Sequence, residues 1–171
     1  PYFGDCLRTM KSLGHFDLES RKGKAPGGYN CPLAETGAPF IFMNAAGTAD
    51  DVVTMMHEGG HALHSFLSHD LELAAFKEYP MEMAELASMS MELFTMPLWT
   101  TFYPNPDHHR RAQLEELERA LSIFPWIATI DAFQHWLYTN PGHSREERSR
   151  AWVEIHSRFA PASVSWQGLE D

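Results

Sequence analysis

Apolar residues recur every three to four positions over most of the chain, a spacing that puts them on one face of an α-helix. Leu7, Met10 and Leu13 are an example near the start. The pattern predicts helices over residues 1–14, 50–68, 81–98, 107–121, 122–138 and 144–159. Pro125 is expected to kink the fifth of these, because proline removes a backbone donor. Ser144 and Glu147 have the spacing of a capping box, which predicts the start of the last helix.

One segment has the pattern of a β-strand instead. Residues 39–44 form a short apolar and aromatic run, Pro-Phe-Ile-Phe-Met-Asn, which predicts a strand in a small sheet or at an edge. The preceding residues 17–37 are rich in Gly and Pro and predict a loop. The fold class is therefore predicted to be mainly α with one or two short edge strands. No linker divides the chain, so a single domain over 1–171 is expected.

Composition and charge narrow the function classes. The 13 Lys and Arg are outnumbered by 23 Asp and Glu, giving a net charge of −10, which argues against a nucleic-acid partner. No apolar run approaches the ~20 residues of a membrane span, so no membrane partner is expected either. Cys6 and Cys31 are too few for a disulfide framework and favour a reduced, cytoplasmic setting. Because the chain starts on Pro1, it is expected to be a piece of a longer protein.

The motif that carries chemistry is His57-Glu58-Gly59-Gly60-His61, inside the second predicted helix. Histidines four residues apart lie on one helix face, so both imidazoles can reach one ion. Zinc accepts imidazole nitrogens, and Glu58, rotated by one residue, can act as general base on an attacking water. Two glycines inside a helix each cost ~1 kcal/mol relative to alanine, which predicts close approach of a neighbouring element or of a substrate backbone.

Two histidines leave a catalytic zinc ion one protein ligand short. A metzincin would place a third His where this chain has Leu67, so that class is excluded by spacing. A carboxylate on the next predicted helix is the other standard solution, and that helix offers Glu82, Glu85 and Glu92. Spacing alone leaves these three open.

The combined motifs resemble the oligoendopeptidase F and thimet oligopeptidase family of zinc metallopeptidases. The family pattern HExGHxxH, then a Glu followed seven residues later by another Glu, matches His57 to His64 with Glu85 and Glu92. Gly-Lys-Ala-Pro-Gly-Gly-Tyr at 23–29 and the run at 39–48 are similar to the family's approach to its active-site helix. Residues 124–136 resemble the bacterial oligoendopeptidase F branch, and the resemblance covers essentially the whole chain.

The resemblance implies a zincin-type helical catalytic core in which His57, His61 and Glu85 hold zinc. Glu58 would be the general base and then the proton donor. Glu92 either supports a ligand through a hydrogen bond or is an ordinary carboxylate at the edge of the core. His64 is expected to be a packed, hydrogen-bonded side chain, because a fourth protein ligand would close the catalytic position.

The expected function is therefore zinc-dependent hydrolysis of internal bonds in short peptides. The strand at 40–44 could pair with an extended peptide, or it could be an ordinary buried strand under the helix. Family members are several times longer, and their substrate-binding Tyr and His residues come after the zinc helices, beyond Asp171. Three alternatives stay open: a zinc-binding core without turnover, a helical interaction module, and another gluzincin such as an aminopeptidase.

Overall fold

The protein is described by a computed structural model that covers residues 2–161 and 163. Helices form most of it, which confirms the prediction of a mainly α fold. The elements are α1 (Tyr2–Ser12), β1 (Phe16–Glu19), β2 (Tyr29–Cys31), β3 (Phe40–Ala45), α2 (Ala49–Ser68), α3 (Ala74–Lys77), α4 (Met81–Thr95), a 3-10 helix (Met96–Thr101), α5 (Pro106–Thr139) and α6 (Arg145–Phe159).

The helix ends follow local side-chain chemistry. Asp51, in the first turn of α2, accepts hydrogen bonds at Oδ2 from the backbone N–H groups of Ala46, Gly47 and Thr48, at 2.6–2.9 Å. Donors at a helix N-terminus lack intrahelical partners, so these bonds anchor the turn from β3 into α2.

Two further predictions about helix ends can be checked in α5 and α6. The predicted capping box of α6 is confirmed: Ser144 N–H donates to Glu147 Oε2 at 2.8 Å, and Glu147 N–H donates to Ser144 Oγ at 3.2 Å. The two helices predicted over 107–138 form one continuous helix of 34 residues, α5, with Pro125 in its interior. A proline removes a single donor from the ladder, and helix-forming residues on both sides continue it.

The three strands form one sheet in the order β1-β3-β2. β3 pairs parallel with β1 and antiparallel with β2, where Asn30 lies opposite Ile41. The strand predicted over 39–44 is thus confirmed, and of the two predicted positions it has the one in a small sheet, where it is the central strand. The edge strands β1 and β2 lie in or beside the segment predicted as loop. They are only four and three residues long, respectively, and flanked by Gly and Pro, so they are too short to show a two-residue period.

The described residues fall into two compact units that divide between Gln113 and Leu114. In the first unit, β3 packs against α1 and α2 through Met10, Ile41, Met43 and Ala62, each at most 3% exposed. In the second unit, Ala151 and Ile155 of α6 are buried. Over the described ranges, no helix has both the length and the hydropathy to cross a membrane.

Candidate metal centre

A close contact between α2 and α4 positions the site. Gly60 is buried, and a Cβ built on it would lie 2.7 Å from the Ser88 Cα and 3.0 Å from the Ala87 carbonyl oxygen. Only a residue without a side chain lets the two backbones approach this far. The predicted close approach of a neighbouring element is confirmed at Gly60. At Gly59 an added Cβ meets no described atom within 4 Å outside its own helix backbone, so the other alternative, approach of a substrate backbone, stays a prediction there.

The contact brings one nitrogen of His57, one of His61 and one oxygen of Glu85 within 4.8 Å of one another. His57 Nε2 lies 3.3 Å from Glu85 Oε2, and His61 Nε2 lies 3.8 Å from Glu85 Oε1. Ligands ~2.0–2.2 Å from a tetrahedral zinc ion stand about 3.3–3.6 Å apart. The donor set and its spacing therefore fit a metal ion with small side-chain adjustments. The Glu85 side chain is 42% exposed, so the cluster opens to solvent.

Glu92 lies behind His57 rather than in the cluster. It is 5% exposed, and its Oε1 is 2.5 Å from His57 Nδ1. A carboxylate that accepts a hydrogen bond from Nδ1–H keeps the proton on Nδ1. Nε2 then presents its lone pair toward Glu85 and His61. Of the two interpretations of Glu92, this contact favours the one in which Glu92 supports a candidate metal ligand, His57, through a hydrogen bond. The third acidic candidate, Glu82, is exposed in the first turn of α4.

Glu58 points to a different neighbour from the two histidines. Its side chain is buried, 7% exposed, in α2 on the side of β2. The backbone N–H of Asn30 faces this carboxylate and acts to lower its pKa, against the larger effect of burial. Gly28 lies so close that a Cβ there would be 3.6 Å from Glu58 Oε1 and 3.0 Å from Thr54 Cγ2. The loop and strand before α2 therefore hold this carboxylate.

The electrostatic environment differs among Glu58, His57 and His61, the titratable groups that α2 contributes to the site. Burial raises the pKa of the Glu58 carboxyl, and the Glu85 charge adds to the increase. The hydrogen bond with Glu92 raises the pKa of His57. Burial, followed by the neighbouring His57, lowers the pKa of His61 and favours its neutral form. A neutral imidazole is the form that binds a metal.

His64, one turn beyond His61, is not part of the cluster. Its ring stacks on Tyr79 with centroids 3.9 Å apart, which confirms that it is packed. The expected hydrogen bond is absent at one nitrogen, because Nδ1 is buried without a partner. Tyr79 also lines a cavity of about 630 Å³ between the loop after β2, the end of α2 and α3.

Sequence reasoning brought the right helices together but missed the residues around Glu58. Gly28 and Asn30 lie in the segment predicted as loop. The sequence also predicts no role for Ser88, which packs against Gly60. Ser88 is fully buried, and its hydroxyl donates to the Glu85 carbonyl oxygen at 3.0 Å. The sequence signal for Gly28 and Asn30 was the glycine-rich run at 23–29, but the role of this run depends on contacts with residues distant in sequence.

The chain belongs to peptidase family M3, a metallopeptidase family, whose profile matches residues 4–168. The chromosomal oligoendopeptidase F of Lactococcus lactis subsp. cremoris is 37% identical over 76 residues, 44% of this chain and 12% of that protein. Oligopeptidase PepF of Bacillus subtilis (strain 168) is 32% identical over 76 residues, 44% of this chain and 11% of that protein.

Solved structures match over a longer region. A protein of Bacillus anthracis str. Ames assigned as an oligoendopeptidase F has a TM-score of 0.85 and 34% identity, covering 95% of this chain. PZ peptidase A with an inhibitor has a TM-score of 0.85 and 35% identity, covering 96% of this chain. The chain spans 29% of the length of each of these two proteins.

Proposed function

We propose that this chain is part of a zinc metalloendopeptidase that hydrolyses internal bonds of short peptides. The observation that carries the proposal is the convergence of His57, His61 and Glu85 within 4.8 Å, with a buried Glu58 beside them on α2. Two imidazoles and one carboxylate are a donor set of catalytic zinc sites, which keep a fourth position open. The names of the relatives, oligoendopeptidase F and oligopeptidase PepF, support a peptide substrate.

In this proposal His57, His61 and Glu85 hold the ion, and Glu92 orients His57. Zinc bound there supplies a Lewis acid for the scissile carbonyl and lowers the pKa of water toward ~7. Glu58 takes the proton from the attacking water and then delivers it to the leaving amine. Burial raises the pKa of the Glu58 carboxyl, and a carboxyl with a raised pKa holds a proton more readily than an ordinary one, as a group that accepts a proton and then returns it must.

The strand that was considered for pairing with the peptide is not part of the proposal. β3 is paired at Ile41 and Phe42 with β1 on one side and β2 on the other, so neither edge is open to a substrate backbone at these residues. The alternative, an ordinary buried strand under the helix, describes it: Ile41 and Met43 are buried in the core that contains Ala62 of α2.

A cytoplasmic setting belongs to the same proposal. Cys6 is buried and Cys31 is exposed, and both are free thiols. An exposed thiol is preserved in a reducing compartment and is vulnerable to oxidation outside it. Expression in an oxidising compartment is expected to leave Cys31 modified, as detected by mass spectrometry of the intact chain.

The test combines zinc analysis with cleavage of a quenched oligopeptide. We expect Glu58→Gln to retain zinc and to lower kcat about 10²–10⁴-fold, since the carboxylate that accepts the proton is gone. Glu85→Ala is expected to weaken zinc binding. Glu82→Gln, an exposed position on α4, is the matched control and should change neither.

Two of the alternatives predict different outcomes of this test. Zinc with no cleavage in the unmodified chain would indicate a metal-binding core without turnover. A requirement for a free substrate amine would indicate an aminopeptidase. Full activity in Glu58→Gln would overturn the assigned base.

A further inference from the structure

The ammonium group of Lys24 is buried beneath the sheet. Its side chain is 1% exposed, and Nζ donates to the carbonyl oxygens of Asp17, Glu19 and Met43, and to Asp17 Oδ1. The first, second and fourth of these contacts are 3.0, 2.8 and 3.0 Å long. Since a lysine has three N–H donors, all of them are engaged on β1 and β3. Hydrogen bonds from the Arg21 side chain and then from Lys24 lower the pKa of Asp17, which keeps the counter-charge in place.

Asn44, on β3, holds the same loop at a second point. Its Nδ2 donates to the carbonyl oxygen of Ala25 at 2.7 Å and to that of Gly27 at 2.9 Å. Both hydrogens of the amide are therefore used by the loop. We call residues 23–28 the glycine loop. Lys24 and Asn44 together fix it to the central strand, although it has no regular backbone ladder of its own.

The far end of the glycine loop lies against the helix that carries the proposed base. Gly28 is in contact with α2: a Cβ built on it would lie 3.0 Å from Thr54 Cγ2 and 3.6 Å from Glu58 Oε1. Two residues later, the backbone N–H of Asn30 faces the Glu58 carboxylate. The position of Asn30 relative to α2 thus depends on the loop that precedes it.

We propose that Lys24 and Asn44 are positioning residues for Glu58, acting through the glycine loop and the Asn30 N–H. This inference rests on the proposed function for its catalytic consequence. A buried ammonium must be fully hydrogen-bonded to be tolerated, whereas an apolar side chain at position 24 could fill the same space under the sheet. What the polar contacts add is a fixed path for the loop backbone, and this path ends at the Glu58 carboxylate.

The first test measures the Asn30 amide directly, with no need for turnover. Hydrogen exchange is followed by NMR in Lys24→Met and Asn44→Asp, the second of which replaces an amide donor with a carboxylate facing two carbonyls. We expect protection of the Asn30 amide to fall about tenfold or more, while the Ala62 amide of α2 keeps its protection. Unchanged Asn30 protection in both folded variants would overturn the inference.

Matched controls use exposed residues of the same types. Lys22→Met lies in the same segment, and Asn105→Asp keeps the acceptor that caps α5. Both should leave Asn30 protection within about twofold of the unmodified chain. A loss of the same size in Lys22→Met would also contradict the inference, since it would show a general sensitivity of this segment.

The second test separates positioning from a general loss of structure. In the zinc-loaded chain, Asn44→Asp is expected to lower kcat about 10–100-fold, because small misplacements of a catalytic group are costly, while KM and zinc affinity stay within about twofold. An unchanged kcat in Asn44→Asp, in protein where Glu58→Gln is inactive, would overturn the positioning role alone. Activity retained in Glu58→Gln would instead overturn the proposed function.

A rescue experiment tests the contact at Gly28. Gly28→Ala places a methyl group 3.0 Å from Thr54 Cγ2, which is closer than an ordinary contact, so we expect the loop to shift away from α2. Adding Thr54→Ser removes that methyl carbon while keeping the hydroxyl. We expect the double variant to regain most of the Asn30 protection lost in Gly28→Ala. No recovery would contradict the role of this contact in placing Asn30.

Discussion

Two regions meet at the proposed site and are built in different ways. The α2–α4 pair holds the candidate ligands through a contact of small residues, with Gly60 against Ser88. Glu58 lies against the glycine loop at Gly28. Side-chain hydrogen bonds of Lys24 and Asn44 to backbone carbonyls tie that loop to β1 and β3. The first depends on how closely two regular helices pack, and the second on polar contacts that fix an irregular backbone. Substitutions in the two regions should therefore fail in different ways.

The largest expected effect comes from breaking the helix contact. Gly60→Ala places a methyl group 2.7 Å from the Ser88 Cα, so the backbones must separate. We expect a loss of about 1–3 kcal/mol in the free energy of unfolding, measured by urea denaturation, and a weaker affinity for zinc because Glu85 moves away from the histidines.

The adjacent Gly59→Ala is the matched control and should have the opposite sign. Its Cβ meets no described atom within 4 Å, and alanine is favoured over glycine in a helix by up to about 1 kcal/mol. Equal destabilisation by the two substitutions would contradict the account of the contact.

A smaller effect is expected where the helix pair orients a ligand. Glu92→Gln removes the charge that accepts the His57 Nδ1–H, so we expect zinc affinity to fall about 10–100-fold, as measured by competition with a chelator of known affinity. Glu82→Gln on the same helix serves as the control. If both variants bind zinc like the unmodified chain, Glu92 is only a buried carboxylate.

The smallest expected effect lies at the turn that joins the two regions. Three backbone N–H groups lower the pKa of Asp51. A group with a lowered folded-state pKa adds stability above its unfolded pKa of about 3.9 and loses it as the pH falls through the folded value. Asp51→Asn should therefore cost about 0.3–1 kcal/mol at pH 7.

That difference between Asp51→Asn and the unmodified chain should shrink below about pH 4. Urea denaturation at the two pH values checks it, with Asp107→Asn in the first turn of α5 for comparison. A penalty that stays constant with pH would show that the charge of Asp51 contributes nothing.

The same division separates what the sequence predicted from what it did not. The helix spacing of His57 and His61, and the breakers that bound α2 and β3, are local signals, so these elements were predicted correctly. The choice of Glu85 over Glu82 and Glu92 came from a family resemblance, because one helix face carries carboxylates at several turns. The tertiary contact at Gly60 is what brings Glu85 to the histidines.

There is a physical reason why the surroundings of Glu58 could not be predicted from the sequence. β1 and β2 are too short for an alternating pattern, and pairing with β3 overrides their Gly- and Pro-rich flanks. Lys24 and Asn44 donate hydrogen bonds to backbone carbonyl oxygens. Every residue has such an acceptor, so these contacts leave no signature in the sequence. In the sequence, a buried lysine such as Lys24 cannot be distinguished from an exposed charged residue of a loop.

The central claim, that His57, His61 and Glu85 form one metal site, is tested most directly by X-ray absorption at the zinc edge on the loaded chain. We expect one zinc per chain, with imidazole nitrogens and carboxylate oxygen at about 2.0–2.2 Å and no sulfur neighbour. In Glu85→Ala the oxygen contribution should change and the bound zinc should fall. A spectrum with sulfur ligands, or one identical in Glu85→Ala at full zinc occupancy, would contradict the claim.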